Sequence, residues 1–136
     1  MSNKLQSRKG DDGKRIKATQ ENQTPYQFDY PIFCFRHIHR IYGLEQCTAN
    51  EKSALIDRLY KLSQLTWQQI SITQRHGFGF EKIEQTSIKT EIPKHITKDV
   101  TLYSFRFDGL KPFVGYRSTY IFHIVFIDRD FTLYNH

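Results

Sequence analysis

Residues 100–107 alternate in character with a period of two residues. From residue 102 to residue 107, aromatic residues alternate with aliphatic or polar ones. The two sets are Tyr103, Phe105 and Phe107 on one side and Leu102, Ser104 and Arg106 on the other. Such alternation is typical of a strand with a different environment on each side of a sheet. This part of the chain is therefore predicted to form β-structure.

Other segments also have the composition of strands. Predicted strands begin after Pro31 and cover residues 83–89, 100–107, 114–127 and 131–136. Residues 114–127 are nearly all apolar after Tyr120, which predicts one long central strand that is covered on both faces. The turn residues Asp108 and Gly109 precede this strand, and an acidic turn that begins at Asp128 follows it. The last three strands therefore form an antiparallel meander.

Two helix starts lie between the first strand and the others. Thr48 and Glu51 have the spacing of a capping box, and leucines follow at helical spacing. Thr66 and Gln69 repeat the box and predict a second, shorter helix that ends near Ile72. The expected fold class is therefore α+β, with a helical pair packed on a small antiparallel β-sheet.

Length and charge suggest one basic domain. The chain has 136 residues and a net charge of +6. Residues 1–25 hold few apolar side chains and half of that charge, so they are predicted to be a disordered basic leader before a single domain at residues 26–136. No apolar stretch is long enough to cross a membrane, and no secretory signal is present. A cytoplasmic location without a membrane partner is expected.

No metal or cofactor motif is found. Phosphate-binding glycine loops, dinucleotide fingerprints and zinc-binding spacings are all missing from the sequence. His37 and His39 would share one face of a strand, but no third ligand is close in sequence. Cys34 and Cys47 have neither metal-ligand spacing nor a thiol-catalysis motif. Neither a metal nor a cofactor is therefore predicted.

Basic and aromatic residues are concentrated in the final meander. Arginine holds phosphate through a planar fork of donors, aromatic rings stack on unpaired bases, and histidine transfers protons near neutral pH. The candidate catalytic residues are Arg106, Arg117, Tyr134 and His136, and the candidate RNA-binding residues are Lys98, Lys111, Tyr116 and Tyr120. We expect Arg106, Arg117 and His136 to converge on one concave face of the sheet.

The segment at residues 102–136 resembles the RelE/ParE toxin superfamily of bacterial toxin–antitoxin modules. The resemblance lies in a strand that carries Arg106, a Gly-Tyr-Arg strand at residues 115–117, and a final segment that ends at His136. It implies a toxin that cleaves messenger RNA without a metal, often on the ribosome, and that is inhibited by a cognate antitoxin protein. The sequence departs from the family at Ser104, where some members have lysine, and in having no residues after the last predicted strand.

Other functions remain open from the sequence alone. A ParE-like member of the same fold would block a topoisomerase by binding, without catalysis, and a plain RNA-binding module would need no acid or base. Arg117 would then form a surface ion pair, and His136 would be a frayed terminus. His123, which lies among apolar residues, fits a core histidine as well as a site residue.

Overall fold

A computed structural model describes residues 29–72 and 77–136 of the chain. The predicted disordered leader at residues 1–25 lies outside the described residues. In these two ranges no helix is long and apolar enough to cross a membrane.

The regular elements follow one another from strand to helix to sheet. They are β1 (Ile32–Cys34), α1 (Ala49–Ser63), α2 (Trp67–Ser71), β2 (Glu81–Ile83), β3 (Leu102–Asp108), β4 (Lys111–Ser118) and β5 (Ile121–Ile127). Short 3₁₀ turns occur at Leu44–Gln46 and Gln85–Ser87. A long irregular segment, residues 84–101, connects β2 to β3.

The five strands form one mixed sheet in the order β1-β5-β4-β3-β2. Neighbours from β2 to β5 pair antiparallel, whereas β1 pairs parallel to β5. The predicted helical pair on a small antiparallel sheet is therefore wrong. α1 is the only helix longer than five residues in the described ranges, and α2 is little more than one turn. Alternation along a strand does not encode the direction of its partner, so the parallel edge could not be predicted.

The helix starts were predicted correctly. Thr48 Oγ1 accepts a hydrogen bond from the Glu51 backbone N–H, and the Glu51 side chain accepts one from the Thr48 backbone N–H, so the capping box is complete. Thr66 and Gln69 form the same reciprocal pair at the start of α2. α2 nevertheless buries only Trp67 and Ile70.

Three strand predictions need correction. The long strand expected at residues 114–127 is broken by a turn at Thr119, whose φ of 56° reverses the chain between β4 and β5. No glycine or proline marks this turn, which is why the sequence did not reveal it. Residues 131–136 form bends rather than a strand, and residues 83–89 leave the sheet after Ile83.

The sheet has a different cover on each face. One face, here called the helix face, packs against α1 and α2 through the buried residues Leu55, Leu59, Leu62, Trp67, Ile70, Phe105, Phe107, Phe113, Phe122, Ile124 and Ile127. The opposite face, the loop face, is covered by residues from the 84–101 segment and the C-terminal tail. Its buried core comprises Ile83, Ile96, Leu102, Val114, Val125, Phe126, Leu133 and Tyr134.

A bulge between β4 and β5 keeps both faces apolar. The pairing register shifts between Val114 and Gly115. A Cβ at Gly115 would collide with the carbonyl oxygen of His123, so only glycine fits this approach of the two strands. Beyond the bulge, Tyr116 and His123 are paired and share the loop face.

A buried carboxylate joins α1 to the far end of the sheet. Glu51 is 3% exposed. Its Oε2 lies 2.7 Å from Lys111 Nζ, and its Oε1 lies 2.8 Å from Arg129 Nε. The hydrogen bond from Arg129, assisted by those from Lys111 and Thr48, lowers the pKa of Glu51 to about 2. The Glu51 carboxylate accepts the capping hydrogen bond at the start of α1 and pairs with Lys111 and Arg129. It therefore fixes the position of α1 along the sheet.

Replacing Glu51 by glutamine should destabilise the fold. Glu51→Gln keeps most of the cap but loses the charge, so we expect the free energy of unfolding at pH 7 to fall by about 2 kcal/mol. A lowered folded-state pKa stabilises the protein above pH 4.5 and is lost as the pH falls toward 2. The difference between wild type and variant should therefore shrink below pH 4.5, as measured by urea unfolding.

The matched control is Asp57→Asn. Asp57 forms an exposed pair with Lys61 one turn along α1, at 3.0 Å, and its loss should change stability by less than about 0.5 kcal/mol. Equal effects of the two substitutions would contradict the anchoring role of Glu51.

Candidate functional site

The predicted catalytic residues lie on opposite faces of the sheet. Arg106 projects from the loop face, beside Glu81 of β2. Arg117 pairs with Phe122 and lies over the Trp67 ring on the helix face. The expected convergence of Arg106, Arg117 and His136 is therefore wrong. Arg106 and His136 lie on the loop face, whereas Arg117 lies on the helix face.

Three of the four candidate catalytic residues lie close together. Arg106, Tyr134 and His136 line one cavity of about 290 Å³ on the loop face, here called the C-terminal pocket, with Glu81 at its edge. The ring centroids of Tyr134 and His136 are 4.3 Å apart. Tyr134 itself is 5% exposed, so it forms the floor of the pocket.

The polar groups of the C-terminal pocket are bonded to the protein. Arg106 Nη1 donates to the Leu110 carbonyl at 2.6 Å, and Arg106 Nη2 lies 3.5 Å from the Glu81 carboxylate. The hydroxyls of Tyr134 and Ser104 form a buried hydrogen bond of 3.0 Å. Burial raises the pKa of Tyr134. The Tyr134–Ser104 bond holds the tail on the sheet, and the partners of Arg106 hold its guanidinium at the pocket.

Asp128 explains the position of His136. This fully buried carboxylate accepts hydrogen bonds from the backbone N–H groups of Thr132 and Leu133. Its Oδ2 also lies 3.5 Å from His136 Nε2. The sequence indicated Asp128 as a turn residue or a surface partner of Arg117, whereas its carboxylate holds Thr132, Leu133 and His136 of the C-terminal tail.

The candidate RNA-binding residues are scattered. Lys111 is held by Glu51 and Asp108, and Tyr120 packs at the edge of the helix-face core. Lys98 is exposed in the 84–101 segment. Of the four, only Tyr116 lies in a group of chemically useful side chains.

That group is a histidine cluster formed by His37, His95, Tyr116 and His123. The centroid of the His37 ring lies 4.2 Å from that of His95 and 5.9 Å from that of His123. The Tyr116 ring stacks on His123 with centroids 4.6 Å apart. His95 Nε2 and Tyr116 Oη are 3.0 Å apart and share a hydrogen bond.

Four segments of the fold position the cluster. Tyr116 and His123 are paired residues of β4 and β5. His37 lies in the loop after β1, which is tied to β5 by a 2.7 Å hydrogen bond from His39 N to Val125 O. His95 belongs to the 84–101 segment and is anchored by the buried Ile96 next to it. His95 is exposed and His37 is half-buried, so the cluster opens to solvent.

Burial and neighbouring charges favour the neutral imidazoles of His37 and His123. Burial lowers the pKa of His37, and the charges of His95 and Arg36 lower it further. Burial also lowers the pKa of His123, with contributions from His37 and His95. Burial raises the pKa of Tyr116, so its phenol keeps its proton. At neutral pH the cluster therefore offers both proton acceptors and a proton donor.

His123 has an unsatisfied nitrogen. Its Nδ1 is buried and has no hydrogen-bond partner among the described residues. Buried polar atoms are normally bonded, so this nitrogen and Arg58 Nη1 are exceptions among the described residues. Within residues 29–72 and 77–136 no group of three or more histidine, cysteine or acidic side chains is arranged to hold a metal ion. The imidazoles of His37 and His123 and the phenol of Tyr116 are groups that can transfer protons.

Sequence reasoning missed most of the histidine cluster. His37 was considered only with His39, and His95 lies in a segment without a periodic pattern. The one available signal was His123, a titratable residue in the middle of an apolar strand.

No family model, no curated protein and no solved structure matches this chain. The geometry of its own residues therefore carries the functional argument.

His37→Gln should raise the pKa of His123, because the substitution removes a neighbour that becomes cationic as the pH falls. NMR titration of the His123 imidazole measures this directly. His136→Gln is the control, since His136 lies in the C-terminal pocket and should leave the pKa of His123 unchanged. An unchanged pKa in the His37 variant would show that the two rings are not coupled.

Proposed function

We propose that this protein is a metal-independent RNA endonuclease whose acid–base chemistry takes place at the histidine cluster. The observation that carries the proposal is the contact of three imidazoles with one phenol at a solvent-accessible position. Cleavage of RNA through its own 2′-hydroxyl needs only a base, an acid and positive charge. The histidine cluster supplies a base and an acid without a metal.

His37 is assigned the role of base. Its neutral form is favoured near pH 7, and it is the less buried of the two cluster histidines whose pKa is lowered. It takes the proton of the 2′-hydroxyl while that oxygen attacks phosphorus. The new bond joins O2′ to phosphorus, and the bond from phosphorus to O5′ breaks. The products are a 2′,3′-cyclic phosphate and a strand with a free 5′-hydroxyl.

The His95–Tyr116 pair is assigned the role of acid. The hydrogen bond between His95 Nε2 and Tyr116 Oη gives a path for a proton to the departing O5′. His123 stacks on Tyr116 and fixes the plane of its ring, so it is a positioning residue.

Positive charge is available around the cluster. Arg36, next to His37 in the chain, is exposed, and after burial and the charge of His95 its charge also lowers the pKa of His37. Lys94, next to His95 in the chain, is exposed. Together with the net charge of +6, these cations attract a polyanion.

The toxin role belongs to the same proposal and is supported by the resemblance of residues 102–136. A cognate antitoxin would then act by covering the histidine cluster. RNA on the ribosome and free RNA are both candidate substrates.

His37→Gln should lower the rate of RNA cleavage by about 10²-fold or more, because it removes the base. The assay uses labelled single-stranded RNA with and without ribosomes, in the presence of EDTA, and identifies the 2′,3′-cyclic phosphate end. EDTA should not change the rate. Expressed in a bacterial host, the wild type should slow growth and the variant should not.

His136→Gln is the matched control. It removes an imidazole of the C-terminal pocket and should leave cleavage within about twofold of wild type. A reversed pattern, with loss in His136→Gln alone, would move the chemistry to the C-terminal pocket. Binding of RNA without cleavage under every condition would replace the enzyme by an RNA-binding module.

A further inference from the structure

The guanidinium of Arg117 lies over the ring of Trp67, the single tryptophan of the chain. Its Cζ lies 4.3 Å from the centroid of the Trp67 ring. Its Nε donates to the Thr119 carbonyl. Trp67 is 4% exposed and donates its indole N–H to the Tyr120 carbonyl at 3.0 Å, so the ring beneath the guanidinium is fixed. Arg117 itself is exposed, and its outer surface is open to solvent.

Arg117 lines two cavities. One, of about 410 Å³, is lined by Asp29, Thr66, Trp67, Gln68, Ser71 and Arg117. The other, of about 500 Å³, is lined by Asp99, Val100, Thr101, Tyr103, Tyr116, Arg117, Ser118 and Thr119. The second cavity therefore runs around the end of the sheet from Tyr116 of the histidine cluster to Arg117.

We propose that Arg117, stacked on Trp67, is a binding subsite for an unpaired nucleotide of single-stranded RNA that extends from the histidine cluster around this end of the sheet. The inference rests on the proposed function, for which it names the substrate class as single-stranded. Guanidinium planes and aromatic rings are the surfaces on which splayed-out bases stack.

The charges around Arg117 favour a base over a phosphate in the first cavity. Asp29 lines that cavity and would repel a phosphate. The same carboxylate and the Gln68 amide can accept and donate hydrogen bonds at a base edge. A duplex offers no free base edge or face of this kind, so paired RNA should be excluded.

The test measures binding separately from cleavage. A single-stranded oligonucleotide with 2′-O-methyl groups cannot be cut, because no 2′-hydroxyl proton remains for a base to remove. Its affinity is measured by fluorescence anisotropy for wild type, Arg117→Ala, Arg117→Lys and Lys52→Ala. Lys52 is an exposed cation near the start of α1, at the opposite end of the sheet from Arg117, and serves as the charge control.

We expect Arg117→Ala to weaken binding about tenfold or more. Arg117→Lys should also weaken it severalfold, because lysine keeps the charge but loses the planar surface. Lys52→Ala should have a much smaller effect. The same oligonucleotide in a duplex should bind weakly to all four proteins.

Trp67 gives a second readout that needs no variant. Because it is the only tryptophan, a base stacked above Arg117 should change the emission of the wild-type protein as the single strand is added. Unchanged emission together with unchanged affinity in Arg117→Ala would overturn the subsite. If that result accompanied normal cleavage, the endonuclease would stand without it. If binding behaved as expected but wild type cut no RNA, the subsite would stand and the endonuclease would fail.

Discussion

Side-chain alternation along the β4–β5 pair determines on which face of the sheet Tyr116, Arg117 and His123 lie. Tyr116 and His123 are cross-strand partners on the loop face, and Arg117 and Phe122 are the next pair, on the helix face. Gly115 allows the bulge that keeps this register while both faces stay apolar. A shift by one residue would exchange the two faces and would separate Tyr116 from the loops that carry His37 and His95.

The two polar clusters on the loop face differ in how completely they are bonded. In the C-terminal pocket, Arg106, Tyr134 and His136 all have partners within the protein, and the Tyr134–Ser104 bond holds the tail against the sheet. In the histidine cluster, two imidazoles come from loops, and His123 keeps a buried nitrogen without a partner among the described residues. The bonded groups of the C-terminal pocket stabilise the fold, whereas the exposed His95 and half-buried His37 of the histidine cluster are accessible to a ligand.

Local signals in the sequence predicted local structure well. Both capping boxes, the period of α1 and the alternation in β3 are interactions between residues close in the chain, and they are confirmed. The parallel pairing of β1 and the turn at Thr119 depend on distant contacts or on an unusual φ, so they were missed. Of the candidate site residues, Arg106, Tyr134 and His136 share one pocket, but the predicted convergence with Arg117 is wrong. The contact of His37 with His95, which are far apart in the chain, was not predicted.

The pH dependence of RNA cleavage tests the central claim most directly. A base whose pKa is lowered by burial and by neighbouring cations remains neutral, and so active, below the usual histidine value of 6.5. We therefore expect the acidic limb of the kcat/KM profile to have its midpoint below pH 6.5. The limb should disappear from the residual activity of His37→Gln. A midpoint above pH 6.5, or an acidic limb that His37→Gln leaves in place, would contradict the assignment of the base to the histidine cluster.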